Sequence, residues 1–200
     1  MSKLTNYRFE LLMDAGNGAQ KAGDILIKTF AKTGRYVFIE PLIPAEISPP
    51  KRTSHSLSGA VIRVSTNDIS NIGSASDLML VEHEILLSRR LDDQEFSRNS
   101  ILLLDMGHAS KNEAAYNEAI SRAESYGIRL IPFHISELAS STIKEINGNG
   151  KNMYYLGVLG AVFNINIDIL EEEIRHTFKK LKPEVLDLNI TIYREGFHYA

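Results

Sequence analysis

The chain contains no cysteine among its 200 residues. This absence excludes disulfide bonds, a thiolate nucleophile, and any iron–sulfur cluster or zinc site held by cysteines of this chain. The sequence also has no apolar run long enough to cross a bilayer, and its opening residues, MSKLTNYRFE, lack the apolar centre of a signal peptide. We therefore expect a cytoplasmic location and no contact with a membrane.

An excess of charge of either sign is missing as well. The formal net charge is −3 and the pI is near 6.1, so electrostatics gives no reason to expect a nucleic acid partner. With 44% apolar and 24% charged residues, the composition is that of an ordinary soluble globular protein. We predict one domain over residues 1–200, since this length suffices for one real core.

The chain is organised around residues 7–34, which read as a strand, a glycine turn and a helix. Residues 7–13 form a short apolar run typical of a buried strand. Gly16-Asn17-Gly18 then breaks the strand, and apolar residues recur at helical spacing until Gly34, which has the position of a helix C-cap. A strand that enters a helix through glycines is a Rossmann-like start and predicts an α/β domain.

The same alternation continues along the chain. Further strands are predicted at residues 36–40, 60–65, 78–81, 101–104 and 128–133, and Ser110 with Glu113 reads as a capping box ahead of a helix that Gly127 closes. Residues 41–59 carry four prolines and four serines, which predicts a long loop with no helix or central strand across it. We expect a mostly parallel sheet with helices on both faces.

The C-terminal third is predicted to be helical. After a turn at residues 147–150, Asn152 is expected to cap an apolar helix at 153–163, whose Gly157 and Gly160 indicate close packing. Another helix begins near Asp168, and a final one, at residues 183–194, has apolar residues on two faces. One of these faces contains Leu186 and Ile190, and two apolar faces suggest burial against a partner as well as the chain's own core.

Two sets of residues are candidates for a site. Gly16-Asn17-Gly18 has the position of a phosphate cradle at a helix N-terminus, but it fits neither GxGxxG nor GxxxxGK[ST], so a plain tight turn or interface loop is the favoured interpretation. His83, His108 and His134 each follow a predicted strand, where the carboxyl edge of a parallel sheet binds ligands. Histidines on surface loops are commoner, and we find no complete catalytic or metal site.

Several segments, taken in order, resemble a known family. They are AGNGAQKAGDILIKTFAKTG, IPAEIS, AVIRVS, SDLMLVEH and, as the best segment, KNMYYLGVLGAVFNINIDILEEEIRHTFKK, followed by a helix that ends in YREGFHYA. The pattern is similar to the gamma subunit, or fused gamma domain, of the 2-oxoacid:ferredoxin oxidoreductases, above all of the 2-oxoglutarate type. Ala15-Gly16-Asn17-Gly18 stands where many gamma subunits carry glycine–glycine–glutamine–glycine, and the loop after Ile47 lacks their Arg-Gly-Gly.

The resemblance implies a non-catalytic part of a catalytic assembly. The family converts a 2-oxoacid, coenzyme A and oxidised ferredoxin into an acyl-CoA, CO2 and reduced ferredoxin. It implies alpha and beta partner subunits that hold thiamine diphosphate, magnesium and iron–sulfur clusters, while the gamma part packs on the alpha part near coenzyme A. The corresponding ligand or interface residues of this sequence would be Gly16, Asn17, Gly18, Lys51, Arg52 and Asn152, with no catalytic residue and no metal ligand.

Two other hypotheses remain open. One is a stand-alone α/β module that binds a nucleotide or coenzyme A, and the other is a structural or interaction protein without a ligand. Neighbouring genes separate these from the first hypothesis, which expects large thiamine-dependent subunits to be encoded beside this chain or fused after Ala200.

Overall fold

The computed structural model describes residues 5–148 and 150–200. Residues 1–4 and 149 lie outside the described residues. The first four residues of the predicted domain over 1–200 and one residue within the predicted turn at 147–150 are therefore not described. Within the described ranges no helix is both long and apolar enough to cross a membrane.

The core of the fold is one six-stranded sheet with the order β2-β3-β1-β4-β5-β6. Its strands are β1 (Asn6–Asp14), β2 (Tyr36–Leu42), β3 (Leu57–Ser65), β4 (Ser76–Val81), β5 (Phe96–Asp105) and β6 (Arg129–Phe133). β1 pairs in parallel with β4, β4 with β5, and β5 with β6, whereas β3 is antiparallel to both β1 and β2. The mostly parallel sheet is as predicted, and β3 is its single reversed strand.

Seven α-helices cover the sheet in the described part of the chain. They are α1 (Ala19–Lys32), α2 (Glu84–Asp93), α3 (Glu113–Ser125), α4 (Glu137–Glu145), α5 (Lys151–Val162), α6 (Ile167–Thr177) and α7 (Pro183–Tyr199). Helices α1 and α4 to α7 share one apolar core with one face of the sheet, and α2 and α3 share a second core with the other face. Helices on both faces and a helical C-terminal third confirm the predicted fold class.

Helices α5 and α7 cross at glycines, which brings the two backbones together. A Cβ atom on Gly157 would lie 2.1 Å from the carbonyl oxygen of Tyr193, and one on Gly196 would lie 2.1 Å from that of Tyr154. The close packing expected of Gly157 is therefore present. The crossing lets α5 bury every side chain from Met153 to Leu159 beneath its neighbours, which is consistent with the apolar sequence of that stretch.

The prediction that Leu186 and Ile190 face a partner is wrong for Ile190. Ile190 is only 3% exposed and belongs to the chain's own core, while the half-buried Leu186 packs against the same core and stays partly exposed. Helix α7 contacts α4, α5 and α6, so both of its apolar faces pack at least in part against this chain. A sequence pattern shows that two faces are apolar but not which neighbours cover them.

Local boundaries differ from the predictions in several places, and α7 continues to Tyr199 where the prediction ended at residue 194. Helix α2 was not predicted, because its charged sequence EILLSRRLDD gives a weak apolar stripe. The loop is shorter than 41–59: Pro41 and Leu42 continue the edge strand β2, where a proline is tolerated, and Leu57 starts β3. Ser110 lies in a 3-10 turn, so α3 is preceded by Asn112 instead, and α5 is preceded by Gly150, with Asn152 inside the helix.

Candidate functional site

Three neighbouring strands lead into acidic side chains at the carboxyl edge of the sheet. Asp14 ends β1, Asp105 ends β5, and Glu82 directly follows β4. All three are at most 3% exposed. Because β1, β4 and β5 run in parallel, their carboxyl ends meet at one edge. Buried carboxylates are costly unless they are hydrogen-bonded, so the partners of each acid define the site.

Asp14 is held by the loop before β3 and by the residue after Glu82. Its Oδ1 accepts a hydrogen bond from the hydroxyl of Ser56 (2.5 Å) and lies 3.0 Å from Nε2 of His83, while its Oδ2 accepts from the backbone N–H of Arg52 at 3.0 Å. Burial raises the pKa of Asp14, but the bonds from His83 and Ser56 outweigh it and the net pKa lies below its ordinary value. Asp14 therefore stays ionised and fixes the base of this loop.

Glu82 binds three different segments at once. Its carboxylate accepts from the backbone N–H of Asp14 (2.8 Å), from the amide of Asn17 (2.9 and 3.0 Å to its two oxygens) and from the ammonium of Lys151 (2.8 Å). Its own backbone N–H donates to the carbonyl of Leu12 at 3.0 Å. The glycine turn and the start of α5 thus share one buried anion.

Two further contacts complete the edge. Nη2 of Arg52 lies 2.5 Å from Oε1 of Glu84, whose other carboxylate oxygen is buried, has no hydrogen-bond partner in the described part of the chain and lies 4.0 Å from Nδ1 of His83. Asp105 accepts from the hydroxyl of Tyr155 at 2.7 Å and from the N–H of Gly107 at 2.8 Å. Burial, and after it the charge of Asp105, raises the pKa of Tyr155 well above its ordinary value, so this phenol acts as a donor.

A cleft of about 370 Å³ opens between the glycine turn and the α5 side of the molecule. Helix α1 begins there after Gly18 and helix α5 begins there after Gly150, and neither start has a capping side-chain hydrogen bond or an acid in its first turn. Lys21 and Lys151 also line the cleft. Helix N-termini carry unpaired N–H groups and partial positive charge, so this end of the cleft suits an anion such as a phosphate.

The other end of the cleft is apolar. It is formed by side chains that follow α4, follow α6 and begin α7, namely Ile146, Phe178, Leu181 and Val185. A ligand that fits both ends of the cleft has an anionic part and an apolar or aromatic part.

Gly18 makes the junction between the two helix starts possible. Its φ is +89°, and a Cβ atom there would lie 2.5 Å from Nδ2 of Asn152 and 2.9 Å from its Cγ. The close approach predicted for Gly18 is therefore present, with Asn152 as the neighbour. Asn152 also donates a long 3.4 Å hydrogen bond to the carbonyl of Gly18, which ties α5 to the turn.

The structure brings most of the predicted site residues together. Gly16, Asn17, Gly18 and Asn152 line the cleft, and the exposed Lys51 donates to Oδ1 of Asn17 at 3.2 Å. Arg52 does not line the cleft, because its guanidinium turns to Glu84. The sequence reasoning missed Lys21, Lys151 and Glu82, although an acid straight after a buried strand, as in LMLVEHE, marks the carboxyl edge of a sheet.

The three histidines have different surroundings. His83 is buried beside Asp14, His108 is half-buried, and His134 is exposed. Burial lowers the pKa of His108, and the charges of Lys151 and Arg52 lower it further. Among the described residues no group of three histidine or acidic side chains has the arrangement of a metal site.

Comparisons with known proteins identify similar sequences and folds. The family model described as pyruvate ferredoxin/flavodoxin oxidoreductase matches residues 14–199. A search of curated proteins gives no match. Among solved structures, the pyruvate oxidoreductase subunit PORC from Thermotoga maritima has 22% identity and a TM-score of 0.67, covering 97% of this chain and 96% of that one.

Two further solved structures share the fold. The gamma subunit of the keto/oxoacid ferredoxin oxidoreductase from Geobacter sulfurreducens has 14% identity and a TM-score of 0.66, covering 96% of this chain and 95% of that one. The 2-oxoglutarate:ferredoxin oxidoreductase from Magnetococcus marinus, solved with 2-oxoglutarate, coenzyme A and succinyl-CoA bound, has 21% identity and a TM-score of 0.73. The match covers 96% of this chain but 30% of the Magnetococcus chain, so the likeness concerns one part of a longer protein.

Proposed function

Because the chain belongs to the pyruvate ferredoxin/flavodoxin oxidoreductase family, we propose that it serves as the gamma-type part of a cytoplasmic 2-oxoacid:ferredoxin oxidoreductase. In this role it packs on the alpha part of the enzyme and contacts coenzyme A, but it does not carry out the chemistry alone. The fold similarity to PORC and to the Geobacter gamma subunit, each covered almost completely, supports the assignment to this subunit type.

The reaction of the assembled enzyme would join a 2-oxoacid, coenzyme A and oxidised ferredoxin to give an acyl-CoA, CO2 and reduced ferredoxin. Thiamine diphosphate, its magnesium ion and the iron–sulfur clusters are assigned in this proposal to partner subunits. This chain has no cysteine to offer a cluster, and its described residues contain no metal-ligating group of three. Its own contribution is to bind and orient a co-substrate.

The cleft between Gly18 and Gly150 is the observation that carries the coenzyme A contact. Coenzyme A carries a pyrophosphate and a ribose phosphate between an adenine ring and a pantetheine arm, both of which are less polar. Two uncapped helix starts with Lys21 and Lys151 fit the phosphates, and the apolar end with Phe178, Leu181 and Val185 fits one of the less polar portions. One part of the enzyme from Magnetococcus marinus, which was solved with coenzyme A bound, has this fold.

Titration of coenzyme A against the purified full chain and against its complex with partner subunits tests the contact. We expect Lys21→Ala to weaken binding about five-fold or more, since charge-assisted contacts to phosphate are worth roughly 1–3 kcal/mol. Arg129→Ala is the matched control: it removes an exposed cation at the start of β6, at the opposite edge of the sheet, and should leave binding unchanged. Equal binding by wild type and Lys21→Ala would contradict the contact.

Purification of the native assembly tests the subunit role. We expect this chain to elute with large subunits that contain thiamine diphosphate and iron–sulfur clusters, and to show no 2-oxoacid decarboxylation when purified alone. If the chain binds coenzyme A but never co-purifies with such subunits, the stand-alone coenzyme A-binding module replaces this proposal. If it neither binds nor assembles, both are excluded.

A further inference from the structure

Glu82 lies beneath the cleft without lining it. The residue is 3% exposed, whereas two of the groups it binds, Asn17 and Lys151, both reach the cleft. These two groups come from opposite walls, the glycine turn after β1 and the first residue of α5. A carboxylate that is hidden from a ligand but bonded to both walls acts on the ligand only through its neighbours.

We propose that Glu82 is the positioning residue of the cleft, which holds the glycine turn and the start of α5 together and fixes where the ammonium of Lys151 lies. The effect of Glu82 on coenzyme A binding rests on the proposed function. Its role in holding the two walls together does not rest on that function, because it follows from contacts within this chain.

The backbone of Glu82 is itself fixed, so its carboxylate is a rigid reference point. Its N–H donates to the carbonyl of Leu12 on the neighbouring strand, and one carboxylate oxygen accepts from the N–H of Asp14. From this base the carboxylate accepts both Asn17 and Lys151 by short bonds, of which the second is charge-assisted at 2.8 Å. A lysine side chain free in solution samples many rotamers, and holding it in one place removes that entropy before a ligand arrives.

Positioning and simple charge competition predict opposite results. Glu82 also neutralises Lys151, so a carboxylate that only competed with a phosphate would weaken anion binding. Its replacement by Gln would then tighten binding. If Glu82 positions Lys151, the same replacement weakens binding. The amide of Gln has one acceptor oxygen instead of two, so either Lys151 or the N–H of Asp14 meets an NH2 donor, and any remaining bond to the ammonium is no longer charge-assisted. The sign of the change therefore separates the two roles.

Hydrogen–deuterium exchange of the full chain tests the holding of the walls without any ligand. We expect Glu82→Gln to speed exchange about ten-fold at residues 14–18 and 150–154, since local opening of these segments becomes easier. Glu173→Gln is the matched control. Glu173 is also buried and lies 2.9 Å from Nζ of Lys32, near the other end of α1. Unchanged protection at both segments in Glu82→Gln would overturn the inference.

Steady-state kinetics of the assembled enzyme tests the consequence for the co-substrate. We expect Glu82→Gln to raise the KM for coenzyme A about ten-fold, with kcat and the KM for the 2-oxoacid unchanged, and Glu82→Asp to restore part of the loss. A lower KM for coenzyme A in Glu82→Gln would overturn positioning in favour of competition. If the titration of Lys21→Ala shows that coenzyme A does not bind in this cleft, the coenzyme A contact of the proposed function fails. The exchange experiment still decides whether Glu82 holds the two walls together.

Discussion

Glycine permits close approach in two regions of this chain, the crossing of α5 with α7 and the turn after β1. At the crossing, the atoms that a Cβ on Gly157 would meet belong to the backbone of α7. At the turn, the atoms that a Cβ on Gly18 would meet belong to the side chain of Asn152, beside an open cleft. A backbone in a packed helix cannot move aside, whereas a side chain beside a cleft can turn.

The difference separates residues that the fold needs from residues that the site uses. The crossing is apolar and its buried residues belong to the main core of this chain, as expected for a structural contact. The turn lies among polar contacts between segments, in which the carboxylate of Glu82 accepts from the ammonium of Lys151 and from the backbone N–H of Asp14. The same glycine signal in a sequence therefore has two meanings, which depend on what the missing Cβ would touch.

The strongest test of this comparison is Gly157→Ala. The new methyl group would lie 2.1 Å from the carbonyl oxygen of Tyr193, so α5 and α7 must separate, and we expect a loss of about 3 kcal/mol or more in the free energy of unfolding. Gly160→Ala in the same helix is the control, because its Cβ meets the flexible side chain of Leu170 at 2.9 Å. Denaturant unfolding measures both, and equal stability of the two variants would contradict a rigid crossing.

Next in size is Arg52→Ala, which extends the comparison to the loop before β3. The sequence placed Lys51 and Arg52 together as ligand contacts, but the structure separates them, since Arg52 pairs with the buried Glu84 and Lys51 is exposed. Removing one partner of a buried ion pair leaves an uncompensated charge, so we expect Arg52→Ala to cost about 3 kcal/mol of stability. Lys51→Ala should cost less than about 0.5 kcal/mol, since its contact is at the surface.

The two loop variants are compared by thermal unfolding and by the KM for coenzyme A. We expect Lys51→Ala to change only the KM, by a few-fold at most, because its ammonium touches the cleft residue Asn17. If Arg52→Ala is as stable as Lys51→Ala, its pairing with Glu84 contributes no stability, and both residues are again candidate ligand contacts.

Gly18→Val sharpens the comparison at the turn itself. A β-branched residue at a φ of +89° is strained, which costs roughly 1–3 kcal/mol, and its Cβ displaces Asn152 into the cleft. We expect a folded but less stable chain. The free energies of coenzyme A binding and of assembly with the alpha part should fall by more than the free energy of unfolding does. Asn152→Ala combined with Gly18→Val should recover part of the stability, because it removes the displaced side chain. A stable single variant with normal binding would contradict the role of this approach.

Much of the fold could be predicted because its signals are local. The glycine turn, the helix end at Gly34 and the short apolar strands are visible in a window of a few residues, and the structure has each of them. Helix α2 was missed since its exposed side is charged and its apolar stripe is short. The burial of Ile190 was missed because it depends on α4, α5 and α6, which sequence alone does not place around α7.

The candidate site could be predicted only in part. Gly16, Gly18 and Asn152 were identified by the glycine signal and by the family resemblance, and they do lie together. Glu82 and Lys151 were not identified from the sequence. They are 69 residues apart and meet only because the fold brings the carboxyl end of β4 and the start of α5 to one edge of the sheet. Whether these residues contact coenzyme A remains a prediction for the titrations and kinetics above.

The smallest expected effect concerns the charge of the cleft, reported by His108. Burial lowers the pKa of this imidazole below its ordinary 6.5, and Lys151, Arg52 and His83 lower it further, while Asp105 opposes them. Below pH 6.5 the unfolded chain therefore binds more protons at this residue than the folded chain, so the free energy of unfolding falls as the pH drops from 6.5 through the folded pKa. In Lys151→Ala we expect the pKa of His108 to rise and this loss to become smaller.

A proton NMR titration of the His108 ring measures the shift directly, and thermal unfolding between about pH 7 and 5 measures the linked stability. Arg129→Ala, at the opposite edge of the sheet, serves as the control and should leave the titration unchanged. Saturating coenzyme A should act in the same direction as Lys151→Ala, because its phosphates would offset the cations of the cleft. If His108 titrates identically in wild type and Lys151→Ala, the ammonium is screened from the sheet edge. The charged groups near the glycine turn would then act only through their direct hydrogen bonds, and not through an electrostatic field that reaches across the site.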